Sequence, residues 1–319
     1  MSAVPSITDL LERVPSWVGR AVEWQRLEGG LSHHVFRVDA DGVPYVLRVL
    51  EPAVSAAGLG VAPEREIENT RLAARTVGAQ VYAVLPDVPA IVLEFLPGRT
   101  LSAAEVRRPE VIPGLAEACL RLHAGPAFAN DFDIFAKRAE LLEVCRRHDL
   151  PLPAGYLDGS STVDAIRAAL AERPLPAVPC HNDLLAENFI ATPSGVRIID
   201  YQLSGNNDPA FELGDIAAEA DYDPDLTGQL AGAYFGADLT PALLARVQLF
   251  HIASNVTWAL WFTVHHGLLA AARGEDPVGF DYEAEAADKW GQARRALEDP
   301  GLGRLLAAVT GRKPITPNE

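Results

Sequence analysis

The spacing of hydrophobic positions along the chain changes near residue 96. Before that point, short runs of β-branched and aromatic residues are bounded by Gly, Pro and Asp, a pattern typical of β-strands joined by turns. An Asp-Gly pair at residues 41–42 predicts a hairpin. One helix is predicted from about Glu64 to Val77, with Gly78 as its stop. The predicted strands are residues 22–27, 35–39, 44–50 and 90–95.

After residue 96, long stretches rich in Ala and Leu predict helices at 113–123, 162–171 and 241–272. The last stretch contains the run Val247–Ala272, which has no Asp, Glu, Lys or Arg and is long enough to cross a bilayer. Gln, His, Ser, Asn and Thr interrupt this run at a density that would be costly in hydrocarbon. We therefore expect a buried helix and no membrane partner.

This order of elements predicts an α+β protein with two lobes. The N-terminal lobe, residues 1–96, is a small antiparallel sheet with one main helix. The C-terminal lobe, residues 97–319, is larger and mostly helical, with a hairpin-like insert at residues 188–200. The simplest boundary between the lobes is a hinge near residues 94–99.

Charge and cysteine content narrow the possible partners and compartment. The chain has 319 residues and a formal net charge of -16, which repels polyphosphate backbones, so no nucleic-acid partner is expected. Cys119, Cys145 and Cys180 are too widely spaced for a disulfide framework or a zinc site. The N-terminus lacks a basic stretch followed by an apolar run. We therefore expect a cytoplasmic protein.

The most specific chemical pattern lies between residues 180 and 200. Asp183 is followed by Asn188 and then by Asp200, which ends a hydrophobic strand. Phosphoryl transfer needs this layout, with one carboxylate at the attacking hydroxyl and two oxygen ligands for Mg²⁺. His181 is expected to bond to backbone and fix the loop. The alternative is an Asx-capped turn before a hairpin, without catalysis.

The segment Cys-His-Asn-Asp-Leu at residues 180–184 resembles the catalytic loop of the choline/ethanolamine kinase family. That family lies within the aminoglycoside phosphotransferase and protein-kinase-like superfamily. The resemblance extends from about Gly29 to Tyr282. It implies a bilobal protein-kinase-like fold, ATP as phosphoryl donor and Mg²⁺ as cofactor. Asp183 would orient the acceptor hydroxyl and accept its proton, while Asn188 and Asp200 would bind the metal.

The resemblance also places a phosphate-binding loop in the N-terminal lobe. Gly29, Gly30, Leu31 and Ser32 match the family's Gly-Gly-Leu-Ser loop, where little side-chain bulk lets backbone N–H groups approach phosphate oxygens. On their own, two glycines between strands are more typical of an ordinary hairpin turn.

Arg48 occupies the strand position where a protein kinase carries lysine, and choline-kinase-like enzymes use arginine there. The resemblance implies that it pairs with the α- and β-phosphates and is steadied by an acidic residue on the following helix. Glu64, Glu66 and Glu68 are the candidates, and the match to the family favours Glu66.

Two further regions are assigned by resemblance. Glu94, Phe95 and Leu96 match the interlobe hinge, whose backbone groups would pair with adenine. Glu219 matches a carboxylate that borders the family's amine site, although a glutamate there can also simply cap a helix.

Aromatic residues would complete that amine site. Trp258 and Trp261 lie three positions apart on the uncharged helix, and Tyr282 matches the family's next landmark. Aromatic rings attract a quaternary ammonium through cation–π interaction. By itself, a tryptophan pair at helical spacing is more typical of core packing.

The chain departs from the family where relatives commonly have Asp-Phe/Tyr-Glu-Tyr. Here Gln202 replaces the carboxylate and Leu203 the second aromatic residue, while Leu185 stands where many relatives are polar. The acceptor is therefore left open among choline, ethanolamine and other amino alcohols.

The sequence thus predicts a kinase, monomeric or homodimeric, for a small cationic alcohol. Two alternatives remain at this point: an aminoglycoside or other metabolite kinase, and a nucleotide-binding scaffold without turnover.

Overall fold

The computed structural model describes residues 6–27, 32–85, 87–270 and 280–312. Its N-terminal part contains a five-stranded antiparallel sheet with the strand order β1-β2-β3-β5-β4. The hairpin predicted at residues 41–42 is present, because Asp41 and Gly42 both adopt positive φ, as the tightest hairpin turns require. The strands are β1 (Val22–Arg26), β2 (His34–Ala40), β3 (Val43–Val49), β4 (Val81–Leu85) and β5 (Ala90–Glu94).

Strand β4 was not predicted from the sequence. Its pairing with β5 shifts register between Val81 and Ala83, and Tyr82 is largely exposed. A bulged edge strand of this kind does not alternate regularly between buried and exposed positions. The hydrophobic pattern of residues 81–85 is therefore weaker than that of the four predicted strands.

The helices of the N-terminal part belong to two different hydrophobic cores. Helix α1 (Ile7–Glu12) and the following turn bury Leu10 and Trp17 against β2, β3 and β5. Helices α2 (Pro52–Ala56) and α3 (Pro63–Ala73) instead contribute Val54 and Ala73 to the large core of the helical part. Helix α3 ends earlier than predicted, and residues 74–77 continue as turns.

The remainder of the described chain is mostly helical around one long central helix. This helix, α10, runs over Pro241–His265, is continued by a wider helical turn at residues 266–270, and is buried along most of its length. None of the described helices is long and apolar enough to cross a membrane. The other helices are α4 (Ala103–Val106), α5 (Ile112–His123), α6 (Ile134–His148), α7 (Ser160–Glu172), α8 (Pro209–Glu219), α9 (Pro224–Phe235), α11 (Tyr282–Leu297) and α12 (Leu302–Thr310).

Two small sheets interrupt the helices. Strand β7 (Val178–Cys180) pairs with β10 (Gly205–Asn207). The short strand β6 (Arg99–Thr100) pairs with the first strand of the hairpin that was predicted at residues 188–200. The predicted hairpin is present as β8 (Phe189–Thr192) and β9 (Gly195–Ile198). The lobe boundary at residue 96 stays a prediction.

Candidate active site

The segment that follows β7 is held in place by two carboxylates of α8. Glu212 accepts the backbone N–H of His181 through one oxygen and that of Asn182 through the other, each at 2.8 Å. Asp215 accepts the backbone N–H of Leu184 at 2.9 Å. Both side chains are fully buried. Three backbone N–H groups on either side of Asp183 are therefore fixed by hydrogen bonds to carboxylates, which are stronger than bonds between neutral groups.

His181 ties the same loop to the hairpin strand. Its Nε2 lies 2.8 Å from the carbonyl oxygen of Ile199, and its Nδ1 lies 3.3 Å from the backbone N of Asp183. Burial lowers the pKa of His181 despite the opposing effects of Glu212 and Asp200. A neutral imidazole can donate through Nε2 and accept through Nδ1. The prediction that His181 fixes the loop through backbone contacts is confirmed.

Asp183, Asn188 and Asp200 are brought together by local bonds. The side-chain amide of Asn188 donates to the backbone oxygen of Asp183 at 2.8 Å. The backbone oxygen of Asn188 accepts the N–H of Ile199 at 3.0 Å, immediately before Asp200. Asn182 and Asp200 both adopt a φ of 68°, a left-handed conformation that Asn and Asp tolerate better than most residues. Asn188 therefore joins the loop that contains Asp183 to the hairpin strand that leads to Asp200.

The two aspartates of this group have different electrostatic environments. Burial, followed by repulsion from Asp215, Glu219 and Asp200, raises the pKa of Asp183 well above its usual value, and Lys289 opposes the shift. Burial also disfavours ionisation of Asp200, but attraction to Arg48 outweighs it, so the pKa of Asp200 is lowered. Asp183 is therefore the stronger proton acceptor of the two.

The donor set of Asn188 and Asp200 fits Mg²⁺. Both offer hard oxygen atoms, which Mg²⁺ prefers. The amide nitrogen of Asn188 is engaged with Asp183, so its Oδ1 is the atom that remains for a cation. One carboxylate and one amide are the number of protein ligands expected for a metal that also binds substrate phosphates.

Arg48 connects the sheet to this centre. Its Nη2 lies 3.1 Å from Glu66 Oε1 and also pairs with Asp200 Oδ1. Glu66 is buried on α3, whereas Glu64 and Glu68 are exposed. The choice of Glu66 as the partner of Arg48 is confirmed by this contact. The role of Arg48 in binding phosphates stays a prediction.

The other nucleotide-site predictions are only partly described by the structure. Gly29, Gly30 and Leu31 lie outside the described residues. Ser32 is buried, and its hydroxyl oxygen accepts a hydrogen bond from Gln202 at 3.2 Å. Gln202, which replaces the family's glutamate, also donates to the backbone oxygen of Leu59 at 2.9 Å.

The predicted hinge residues have partners at the end of the large sheet. Glu94 Oε2 accepts the backbone N–H of Gln80 at 3.1 Å, and the ring of Phe95 lies under Arg37 at 4.7 Å. Leu96 is buried against Ala79. Contact of residues 94–96 with adenine stays a prediction.

Glu219, the expected neighbour of an acceptor cation, already has an internal partner. The ammonium of Lys289, on α11, lies 3.0 Å from Glu219 Oε1, and Lys289 is almost fully buried. Lys289, Glu212 and Asp215 were not predicted as site residues from the sequence. For the two α8 carboxylates a signal existed, because residues 212, 215 and 219 share one face of a mostly apolar helix.

The three aromatic residues predicted to line the acceptor site contact other groups of the protein. The indole N–H of Trp258 donates to Asp215 Oδ1 at 2.7 Å, and that of Trp261 donates to the backbone oxygen of Leu59 at 3.1 Å. His265 stacks on Trp261 at 5.0 Å and on Tyr282 at 4.5 Å. The imidazole of His265 therefore lies between these two rings. Participation of the three rings in acceptor binding stays a prediction.

A second cluster of polar side chains lies next to Glu212, which holds the loop around Asp183. His123 Nε2 lies 3.6 Å from Cys180 Sγ and 3.5 Å from Glu212 Oε1, and its Nδ1 lies 2.6 Å from the Tyr234 hydroxyl. These groups are close enough to share a metal ion. However, both Glu212 oxygens are engaged by backbone N–H groups, and burial raises the pKa of the Cys180 thiol. A neutral thiol is a poor metal ligand, so we interpret the cluster as a hydrogen-bonded support for Glu212.

Comparison with known proteins gives consistent matches. The phosphotransferase enzyme family (APH) matches residues 23–250. A crystal structure of a choline/ethanolamine kinase family protein from Mesorhizobium loti is 31% identical, with a TM-score of 0.80, covering 95% of this chain and 97% of that one. Ethanolamine kinase 1 of Mus musculus is 24% identical over 295 residues, which is 77% of this chain and 78% of that protein.

A third match concerns a nucleotide complex. The structure of LicA in complex with AMP is 18% identical, with a TM-score of 0.71, and covers 91% of this chain and 97% of that one. Together with the five-stranded sheet and the helical remainder, these likenesses confirm the predicted α+β, kinase-like fold class.

Proposed function

Because the chain belongs to the phosphotransferase enzyme family and, within it, to the choline/ethanolamine kinase family, we propose that it transfers the γ-phosphoryl group of ATP to the hydroxyl of a small cationic amino alcohol. The observation that carries the proposal is the junction of loop and hairpin, where Asn188 bonds to the backbone of Asp183 and precedes a strand that leads to Asp200.

In this proposal Asp183 orients the acceptor hydroxyl and takes its proton as the oxygen attacks phosphorus. Its raised pKa, caused by burial and neighbouring carboxylates, suits a proton acceptor. Glu212 and Asp215 hold the loop rigid, which keeps the carboxylate of Asp183 in position. Mg²⁺, bound by Asn188 and Asp200, would supply positive charge that offsets the phosphates.

The nucleotide would lie between the sheet and the helical part. Arg48 is placed to pair with phosphates, since Glu66 already orients its guanidinium towards Asp200. Residues 29–32 would contact the phosphates and residues 94–96 the adenine. The AMP complex of LicA supports a nucleotide site in this fold.

Acceptor recognition would use Glu219, Trp258, Trp261 and Tyr282. Support comes from the negative surroundings of Asp183, where Asp215 and Glu219 both act on its pKa after burial. The names of the Mesorhizobium loti and mouse relatives point to the same class of alcohol. A cytoplasmic location and a monomeric or homodimeric state complete the proposal.

The test is phosphoryl transfer from ATP to ethanolamine, choline, a neutral alcohol and an aminoglycoside. Asp183→Ala should reduce kcat for the preferred acceptor by at least about 100-fold, because a positioned proton acceptor contributes about that much or more. Asp225→Ala is the matched control, since Asp225 is an exposed aspartate on α9. Equal turnover by Asp183→Ala and the native protein would reject the proposal. Binding of ATP without transfer to any of these acceptors would favour a scaffold.

A further inference from the structure

Lys289 lies buried at the predicted acceptor end of the site. It is 3% exposed and sits two helical turns after Tyr282 on α11. Residues at this spacing project from the same side of a helix, so Lys289 shares a face with one of the predicted acceptor residues. Lysine is rarely buried to this extent unless its charge is paired.

The ammonium group of Lys289 contacts the C-terminal end of α8. Its ammonium lies 3.0 Å from Glu219 Oε1 and donates to the backbone oxygen of Ala218 at 3.0 Å. Ala218 and Glu219 are the last two residues of α8, where carbonyl groups lack helical partners and the helix dipole is negative. Lys289 thus forms an ion pair with the side chain and a hydrogen bond with the backbone at this helix end.

The ammonium remains charged although it is buried. Burial works against protonation, but Glu219 above all, with Glu285 and Asp221, outweighs it, so the pKa of Lys289 is raised. Its positive charge also acts on Asp183, where it opposes the effect of Asp215 and Glu219. The net negative charge that an acceptor cation meets at Glu219 is therefore smaller than the carboxylates alone would create.

The aromatic residues predicted to contact the acceptor also have partners within the protein. The imidazole of His265 stacks on Trp261 and on Tyr282, and the indole N–H of Trp258 donates to Asp215. The charges of Glu219 and Lys289 therefore act beside these rings in distinguishing a charged acceptor from a neutral one.

We propose that Lys289 is a specificity-determining residue, which neutralises Glu219 from inside the protein and so weakens the attraction of the site for a cationic acceptor. An incoming ammonium that approaches Glu219 meets the like charge of Lys289 in a poorly solvated environment, where Coulomb interactions are strong. A neutral alcohol of the same shape experiences no such repulsion. The inference deepens the proposed function, because it states how the acceptor site sets its preference for charge.

The kinetic test compares Lys289→Met, which removes the charge, with Lys289→Arg, which keeps it. The acceptors are choline and its uncharged carbon analogue 3,3-dimethylbutan-1-ol. We expect Lys289→Met to lower the KM for choline about 10-fold or more and to leave the KM for the neutral analogue unchanged, since only the cation gains attraction. Lys289→Arg should leave both KM values near those of the native protein.

Arg146→Met is the control. Arg146 also pairs with a glutamate, at 2.6 Å from Glu143, but both residues are exposed on α6. It should change neither KM. A KM for choline that rises in Lys289→Met, or that changes in parallel with the KM for the neutral analogue, would overturn the proposal.

A binding measurement separates this inference from the proposed function. In Lys289→Met the partly buried carboxylate of Glu219 loses its ion-pair partner, so the protein should melt at a lower temperature than the native chain, and methylammonium chloride should raise its Tm more than that of the native chain. Sodium chloride at equal concentration is the reference. This result does not require turnover, so it stands even if no amino alcohol is phosphorylated.

The double variant Glu219→Gln with Lys289→Met covers the case in which the single variant fails to fold. It removes both charges, so it should melt closer to the native protein than Lys289→Met and should show no extra stabilisation by methylammonium. Equal stabilisation of the native chain, Lys289→Met and the double variant by methylammonium would contradict the role of the ion pair.

Discussion

The indole nitrogen of Trp258 lies 2.7 Å from Asp215 Oδ1. Asp215 in turn holds the backbone N–H of Leu184, which follows Asp183 in the catalytic loop. Burial, together with repulsion from Glu219, raises the pKa of Asp215 to about 7, and the hydrogen bonds from Trp258 and Ser254 act in the opposite direction. A residue predicted to contact the acceptor therefore also supports the loop that carries Asp183, the proposed proton acceptor.

Trp258→Phe separates these two roles of Trp258. Phenylalanine keeps an aromatic ring but removes the N–H, so Asp215 loses one donor, which costs about 1–3 kcal/mol in a buried site. We expect a lower Tm and a lower kcat. Ser254→Ala removes the other side-chain donor to Asp215, at 2.8 Å, without touching an aromatic residue.

Comparison of the two variants gives the role of the ring. If Trp258 lines the acceptor site, Trp258→Phe raises the KM for the acceptor and Ser254→Ala does not. Equal KM values in both variants, with similar losses of kcat, would mean that Trp258 acts only through Asp215.

Glu212→Gln tests the support of the catalytic loop. An amide can accept through one oxygen only, so the backbone N–H of either His181 or Asn182 loses its partner. We expect a loss of kcat of about 10- to 100-fold, because an unsatisfied buried N–H costs about 1–3 kcal/mol and the loop carries Asp183. Steady-state kinetics would show KM values for ATP and acceptor close to native. An unchanged kcat would mean that the loop does not need this support.

Arg48→Lys tests the predicted phosphate contact. Lysine keeps the charge but loses the planar group with which Arg48 contacts both Glu66 and Asp200. The KM for ATP should rise about 10-fold or more, while the KM for the acceptor should stay unchanged, since Arg48 lies on the sheet side. Arg65→Lys, at an exposed position on α3, is the control. A rise in the acceptor KM alone would contradict the assignment.

The stability of the protein should depend on His251 below neutral pH. Burial, with repulsion from Lys289, lowers the pKa of His251 to about 4 from the usual 6.5. Between these values the unfolded chain binds a proton that the folded protein does not, so the free energy of unfolding falls as pH decreases from 6.5 to 4. This contribution is fully present above pH 6.5 and amounts to roughly 3 kcal/mol.

His251→Gln should remove that part of the pH dependence. Denaturant unfolding of the native protein and the variant at pH 4, 5, 6 and 7 measures it, because the difference between the two isolates His251 from other titrating groups. A difference that is constant across this range would show that His251 titrates alike in both states.

Much of the centre of the site could be predicted because its geometry is local. Asp183, Asn188 and Asp200 are separated by one loop and one hairpin, so the spacing in sequence nearly determines the spacing in the structure. Spacing alone does not decide which of Glu64, Glu66 and Glu68 pairs with Arg48, because all three lie on one short stretch of α3. Burial of Glu66 separates it from the other two, and burial depends on packing that no local pattern reports.

The site residues that were not predicted from the sequence depend on contacts between distant segments of the chain. Lys289 reaches Glu219 from another helix, and its sequence neighbours are ordinary for an exposed helical face. His265 was not predicted because Tyr282, one of its two stacking partners, lies on a different helix. Strand β4 was not predicted for a different reason. A bulge and the exposed Tyr82 weaken its alternation between buried and exposed positions.

The left-handed backbone at Asp200 restricts which replacements are informative there. Glutamate would preserve the carboxylate but, with its longer side chain, is less suited to a φ of 68° than aspartate or asparagine. Loss of activity in Asp200→Glu would therefore mix conformational strain with a displaced ligand. Asparagine tolerates the same backbone shape, so Asp200→Asn removes the charge while leaving the path of the chain intact.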